Sequence, residues 1–325
     1  MFQSNRKKVT NTLTKDRRFG TDGIRGPVDS TMNPLFVTKL GWAAGSVLIE
    51  EGISTVLIGK DTRISGYMLE SALQAGFISA GMDVILLGPL PTPGVAYLAK
   101  KNNHAGVVIS ASHNLFEDNG IKFFDREGHK FSSDLESRIE LKITQPILTT
   151  KSINLGKASR LTDAQEQYVE FCKSITGSLD LSNLSLLLDC ANGATYSVAP
   201  KVFADLGATV EVISAEPDGI NINQNCGSTS PDSLIKAMSK GNYDLGIAFD
   251  GDGDRILIIG KSGKELDGDD LLYLLISSLS KQKRDLSKDG VVGTLMTNKA
   301  LENYLQETNI NFIRTDVGDK YVLDS

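Results

Sequence analysis

Apolar residues along this chain gather into short runs separated by single amphipathic stretches, and the arrangement occurs three times. In the first copy Thr55-Val56-Leu57-Ile58-Gly59 precedes a stretch carrying Leu69, Ala72, Leu73, Gly76, Phe77 and Ala80. Gly81-Met82-Asp83-Val84-Ile85-Leu86-Leu87 then closes the copy. Spacings of three and four predict one core-facing helix stripe between two strands. The second copy runs from Leu186-Leu187-Leu188-Asp189 through Val198, Val202, Phe203 and Leu206 to the strand at 207–213. The third starts at Val291-Val292-Gly293, passes Ala300, Leu301, Tyr304 and Leu305, and returns at Ile310-Asn311-Phe312-Ile313. Strand–helix–strand units of this kind build mixed or parallel sheets covered by helices, so the chain is read as similar α/β domains in series.

A fourth pattern differs. Leu245-Gly246-Ile247-Ala248-Phe249 and Ile256-Leu257-Ile258-Ile259 flank Asp250-Gly251-Asp252-Gly253-Asp254-Arg255, which predicts strand, turn, strand. Three carboxylates at alternate positions repel one another unless a cation sits among them. Hard oxygen ligands on a tight turn favour Mg2+ or a similar divalent ion. A calcium hand would need glycine at the sixth position and glutamate at the twelfth, but these are Arg255 and Lys261. The glycines flanking each Asp let the backbone curl the oxygens inward, which a merely solvated turn would not need.

The chain has 325 residues, 40% hydrophobic, enough for two or three domains at about 100–200 residues each. A net charge of −6 gives no nucleic-acid footprint, so an anionic ligand must be met by locally placed Arg and Lys. Cys172, Cys190 and Cys226 form no CxxC pair and fit a reducing compartment such as the cytoplasm. No apolar run approaches the roughly 20 residues that span a bilayer, so no membrane partner is expected. Residues 1–17 are basic and rich in Ser, Thr and Asn without an apolar stretch, which excludes a secretory signal and predicts a disordered tail. Breaks in the pattern place the remaining boundaries at 18–160, 161–262 and 263–325, the last a partial domain too small to stand without its neighbour.

Three further clusters carry candidate chemistry. Gly106-Val107-Val108-Ile109 reads as a buried strand delivering Ser110-Ala111-Ser112-His113-Asn114 into a loop, followed by Glu117 to Lys122. A hydroxyl with polar neighbours at a strand end suits a nucleophile, although Ser and Asn also form ordinary turns. Adjacent Ser and His do not suit a hydrolase triad. Arg18-Phe19-Gly20-Thr21-Asp22-Gly23-Ile24-Arg25-Gly26 sets an arginine, a fork of donors suited to phosphate, in a glycine-rich turn. Gly59-Lys60-Asp61-Thr62-Arg63-Ile64-Ser65-Gly66 leaves a strand and opens a helix. It reads either as a phosphate site or as a helix capped by Ser65 beside a structural Asp61–Arg63 pair.

In combination these motifs resemble the α-D-phosphohexomutase family. The residues carrying the resemblance are FGTDGIRG at 19–26, GKDTRISG at 59–66, SASHN at 110–114, DNGIKFF at 118–124, DCANGA at 189–194, PDGININ at 217–223, DGDGDR at 250–255 and VGDKYVL at 317–323. It spans about residues 18–324, and the TDGIRG form points to the glucosamine branch. The resemblance implies tandem, similar three-layer α/β/α domains with mixed sheets, the third incomplete and the fourth absent. It implies that Ser112 is the phosphorylated serine and that Asp250, Asp252 and Asp254 hold one Mg2+ together with a phosphoserine oxygen. Arg25 and Lys122 become phosphate-proximal cations and proton-transfer candidates, and His113 supports the serine loop. Arg255 and Arg63 become substrate- or phosphate-binding residues. The implied partners are a phosphorylated hexosamine and its 1,6-bisphosphate. The implied reaction interconverts glucosamine 6-phosphate and glucosamine 1-phosphate, feeding UDP-N-acetylglucosamine and cell-wall precursors. The oligomeric state is left open.

Two departures modify that expectation. Leu115 stands where the family usually has proline, which is expected to loosen the serine loop and impair catalysis without abolishing it. Family members also continue past the position of Ser325 with a sugar loop and a phosphate-binding domain. The chain as given is therefore also read as a truncated form, a metal- and sugar-phosphate-binding remnant with little mutase activity. A phosphatase with an Asp nucleophile fits worse: Asp250 and Asp252 would make its DxD motif and Asp269-Asp270 its later acidic pair, but SASHN would have no task.

Overall fold

The computed structural model describes residues 19–20, 22–281, 286–323 and 325. The basic stretch 1–17, expected to be a disordered tail, lies outside the described residues. The first sheet is built from β1 (Ile24–Pro27), β2 (Thr55–Lys60), β3 (Asp83–Pro89), β4 (Ala105–Ile109), β5 (Asp118–Phe124) and β6 (Ala158–Arg160), in the order β1-β5-β4-β2-β3-β6. The β4, β2, β3 and β6 strands run parallel, β5 runs against them, and β1, antiparallel to β5, points the same way as the rest, so the sheet is mixed. Helices α1 (Pro34–Glu50), α2 (Ser65–Ala80), α3 (Thr92–Asn102) and α4 (Ser133–Ile143) complete the unit.

The unbroken apolar runs of β2 and β4 follow from burial on both faces. Val56, Ile58, Val107 and Ile109 pack with Trp42, Leu69, Leu73 and Phe77 in one core. Leu57 and Val108 pack with Val95 and Leu98 in the other. Helices α1 and α2 cross closely because glycine lies at the contact. A Cβ on Gly76 would sit 2.2 Å from the Thr38 carbonyl oxygen and 2.7 Å from the Trp42 nitrogen. Ser65 does not cap α2: the helix starts at Ser65 itself, without a side-chain cap. The Ser65 Oγ instead accepts from Asn119 Nδ2 at 2.8 Å, tying the helix to β5.

The second unit has α5 (Ala164–Ile175), β7 (Ser185–Asp189), α6 (Val198–Asp205), β8 (Thr209–Ile213), α7 (Asp232–Met238), β9 (Leu245–Phe249), β10 (Ile256–Gly260) and β11 (Glu265–Leu266). Its sheet runs β11-β10-β9-β7-β8 and is again mixed, with β8, β7 and β9 parallel and β10 turning back antiparallel. The strand–turn–strand around the three-Asp loop forms with Phe249 opposite Ile256. The sheet extends past residue 262, because Leu266 and Glu265 pair with Ile258 and Ile259. Helix α5 seats this unit on the first. Ala164 and Val169 enter the core of Val95 and Leu98, and Phe171 stacks on Tyr97 with ring centroids 3.9 Å apart.

The third unit comprises α8 (Gly268–Lys281), α9 (Leu286–Asp289), β12 (Val291–Thr294), α10 (Lys299–Glu307), β13 (Phe312–Thr315) and α11 (Asp319–Leu323). Its two parallel strands pack on a small core of Ile276, Val291, Leu301 and Leu305. It reaches the first unit through an ion pair between Asp319 and Lys130, at 2.7 Å. Among the described residues no helix is long and apolar enough to cross a membrane.

The glycine crossing is testable. Gly76→Ala forces α1 and α2 apart and is expected to lower stability by about 1–3 kcal/mol, read as a fall in the urea midpoint; an unchanged midpoint would contradict the close packing.

Candidate active site

Loops leaving the C-terminal ends of β2, β3 and β4 in one sheet and of β7 and β9 in the other meet at a common edge, where open α/β sheets place their chemistry. The β9–β10 turn carries Asp250, Asp252 and Asp254, with one oxygen of each within 4.8 Å of the others. Asp250 and Asp252 are fully buried. Burial, then the charges of Asp252 and Asp254, push Asp250 up to about 7. Burial also works to raise Asp252, but the Lys122 ammonium and the Thr92 hydroxyl outweigh it and hold this carboxyl below its ordinary value. The turn is supported by the loop after β7: Ala194 N donates to Gly251 O at 2.8 Å, and a Cβ on Gly193 would lie 2.4 Å from that same oxygen.

Ser112 faces the turn. Its Oγ donates to Asp250 Oδ2 at 2.6 Å, joining groups 138 positions apart. Ser112 has φ 54°, the left-handed region that a residue with a Cβ seldom adopts. It is also buried. His113 Nδ1 stands 3.4 Å from the Oγ, a long contact. Burial, then Arg255 and Arg25, lower His113 against the opposing pull of Asp252 and Asp254. The serine thus donates to a carboxylate of the three-Asp turn, an arrangement unlike a hydrolase triad.

Arg63 is placed differently from the expectation that it binds substrate or phosphate. Its side chain is buried and ion-paired with Asp61. One guanidinium nitrogen, Nη2, donates to the carbonyls of Ser112 (3.2 Å) and Asn114. Asp61 also accepts from Ser110 Oγ, which in turn accepts from Ser112 N at 2.9 Å. Arg63 therefore shapes the serine loop from behind, the structural alternative left open by the GKDTRISG segment.

The remaining cations face the carboxylates. Lys122 Nζ lies 2.6 Å from Asp252 Oδ2, 3.2 Å from Asp254 Oδ2 and 3.1 Å from Asp22 Oδ2. Burial works to lower Lys122, yet Asp252, Asp254 and Asp22 outweigh it and hold the ammonium well above its usual range. Arg25 pairs with Asp22, which also meets Lys130 at 2.7 Å. Burial raises Asp22, but Lys122, Lys130 and Arg25 together drive it far below the ordinary carboxylate range. Arg255 is half exposed beside Asp254, with its backbone N donating to Asp250 Oδ1 at 3.2 Å. Lys130 and Thr92, whose hydroxyl donates to Asp252, carry no spacing signal and are revealed by contacts between distant segments. Asp22 lies inside the glycine-rich turn, but its contacts with Lys122 and Lys130 are equally distant in sequence.

Family models for phosphoglucomutase/phosphomannomutase match in order: α/β/α domain I over residues 16–148, domain II over 166–263 and domain III over 267–325. The chain belongs to this family. Phosphoglucosamine mutase of Marinobacter nauticus is 54% identical over 316 residues, covering 96% of this chain and 70% of its own length. That of Pseudoalteromonas translucida is 52% identical over 314 residues, covering 95% and 70%. The chain thus spans about 70% of the length of these relatives. In fold it is similar to a phosphoglucomutase/phosphomannomutase family protein from Burkholderia thailandensis, with TM-score 0.84, 24% identity, and coverage of 95% of this chain and 68% of that one. It is also similar to Aspergillus fumigatus N-acetylphosphoglucosamine mutase, solved with GlcNAc-6P and magnesium, at TM-score 0.57 and 17% identity, covering 94% and 63%.

The acidic triad of domain II fits a cation. Oδ2 of Asp252 takes Thr92 and Lys122, while its buried Oδ1 has no hydrogen-bond partner, and an orphaned carboxylate oxygen beside two like charges is unfavourable without one. Mg2+ is expected to raise the Tm, with about 2.7 kcal/mol of stabilisation at a hundredfold excess over Kd. Asp252→Asn should lose most of that rise in differential scanning fluorimetry; a wild-type Tm indifferent to Mg2+ would contradict the metal assignment.

Proposed function

We propose that this protein catalyses the phosphoglucosamine mutase reaction, interconverting glucosamine 6-phosphate and glucosamine 1-phosphate through a phosphoserine and a 1,6-bisphosphate. It is an isomerase acting by phosphoryl transfer, and its relatives at 52–54% identity bear that name. The contact that carries the reading is Ser112 Oγ on Asp250, at 2.6 Å: a hydroxyl and a metal-binding carboxylate brought together from two domains. In the forward direction the bond from Ser112 Oγ to phosphorus breaks as the sugar's 1-hydroxyl oxygen forms one, leaving free serine and the bisphosphate. Reversal at the 6-phosphate restores phosphoserine and releases glucosamine 1-phosphate. In the first transfer the sugar's 1-hydroxyl gives up a proton and the departing Ser112 oxygen takes one up; in the second, Ser112 gives up its proton and the 6-oxygen of the sugar takes one up. The product feeds UDP-N-acetylglucosamine and cell-wall precursor synthesis, and the three free cysteines fit a cytoplasmic setting.

Asp250, Asp252, Asp254 and an oxygen of phosphorylated Ser112 would hold one Mg2+ per chain, which when bound polarises the phosphoryl group and offsets its charge. The other residues act directly. Lys122, kept charged by three carboxylates, and Arg25, paired with Asp22 beside it, stabilise negative charge on the moving group. Arg255 is exposed enough to meet the sugar phosphate. The Ser112 hydroxyl is closed off from solvent, which keeps water from hydrolysing the phosphoenzyme.

Incubation with glucosamine 1,6-bisphosphate and Mg2+, followed by intact mass and phosphopeptide mapping, tests this. One phosphate is expected on Ser112, stable to hydroxylamine and absent in Ser112→Ala. Glucosamine 6-phosphate should discharge it faster than glucose or mannose phosphates do. A hydroxylamine-labile phosphate on Asp250 would sink the reading and favour an acyl-phosphate enzyme.

A further inference from the structure

The serine loop is gripped from a second side, by a residue the reaction scheme does not use. Asn223, in the loop between β8 and α7, is buried and itself left-handed at φ 58°. Its Nδ2 donates to the carbonyl oxygens of Ser112 at 2.9 Å and Asn114 at 2.8 Å. These are the same two oxygens that Arg63 Nη2 reaches. Both partners are acceptors, so the amide can only present its nitrogen here. Each carbonyl thus takes one donor from domain I and one from domain II.

The two grips differ in what they connect. Arg63 belongs to a closed circuit within domain I, through Asp61, Ser110 Oγ and Ser112 N. Asn223 belongs to the domain that carries the metal loop, and its own N donates to Ala191 O at 2.9 Å. The metal loop rests on the same spot: a Cβ on Gly251 would lie 2.6 Å from Ser112 O and 2.7 Å from Asn223 Nδ2. Leu115, which is exposed, lacks the restriction that a proline would place on Asn114, so hydrogen bonds must hold that residue instead.

We propose that Asn223 is a positioning residue for phosphoryl transfer. Its amide holds Ser112 in the left-handed turn and sets the Ser112 Oγ against the metal carboxylates. The geometry of the nucleophile is thereby tied to the seating of domain II on domain I. The proposal rests on the phosphoryl-transfer reading above.

Asn223→Gly tests it, since glycine accepts the left-handed backbone at no steric penalty and removes only the amide. The variant should stay folded, with a Tm lowered only by the loss of two hydrogen bonds, and keep its half-saturating bisphosphate concentration. Its maximal rate of Ser112 phosphorylation should fall by about 10–100-fold, the scale on which small misplacement of reacting groups acts. Hydrogen exchange over residues 111–115 of the Mg2+-loaded protein should accelerate. Labelling at the wild-type maximal rate, or unchanged exchange over that segment, overturns the proposal. A wild-type protein that takes up no phosphate would sink the phosphoryl-transfer reading instead, and the exchange measurement would still decide whether Asn223 holds the loop.

Discussion

Asp250, Asp252 and Asp254 sit close enough for their oxygens to share one ion, and two of the three are removed from water. Like charges so placed raise one another's proton affinity and favour whatever cation enters. Lys122 reaches two of the three, leaving Asp250 on the Ser112 hydroxyl and one oxygen of Asp252 unpartnered. Most of what surrounds the site can be understood as holding this unfavourable cluster together and aiming it at one serine. Asp22 fixes Lys122 from behind, Thr92 fixes Asp252, and the glycines at 193 and 251 let two backbones approach closely enough for the turn to curl inward.

The fold meets that requirement with two similar sheets whose strand ends converge. Parallel strands from each domain release their loops on the same side, so Ser112 and Asp250, far apart in sequence, need only a rigid domain contact to meet. Helix α5 supplies it by burying Ala164 and Val169 in the core of domain I. The left-handed backbone at Ser112 is held by hydrogen bonds to carbonyls rather than by side-chain packing. A strained loop of this kind persists only where its surroundings over-determine it.

Periodicity revealed much of this arrangement because the signals were local. The hairpin around the three-Asp turn, the strand ahead of SASHN and the three strand–helix–strand copies all depend on neighbours within a few residues. Their alternating or helical spacing therefore survives into the fold. Helix α1 is the counterexample: apolar around most of its circumference and covered on several sides, it shows no clean stripe. The antiparallel course of β5 is likewise invisible to a pattern of apolar runs. Arg63 shows the limit for the site. Its residue type suits phosphate, but Asp61 two positions back and two carbonyls about fifty positions ahead take up both terminal nitrogens of its guanidinium. Asn223 and Asp22 lie inside the PDGININ and FGTDGIRG motifs, but their contacts with the Ser112 loop and with Lys122 join segments a hundred or more positions apart, so spacing gave them no role.

The central claim is that the three-Asp turn and the Ser112 loop form one metal–phosphoserine centre. Crystals of the phosphorylated protein grown with Mn2+ test it most directly through anomalous scattering. A single peak is expected, bonded to Asp250, Asp252, Asp254 and an oxygen of phosphorylated Ser112. A peak bound to the carboxylates but out of reach of Ser112, or no peak at the turn, would contradict it.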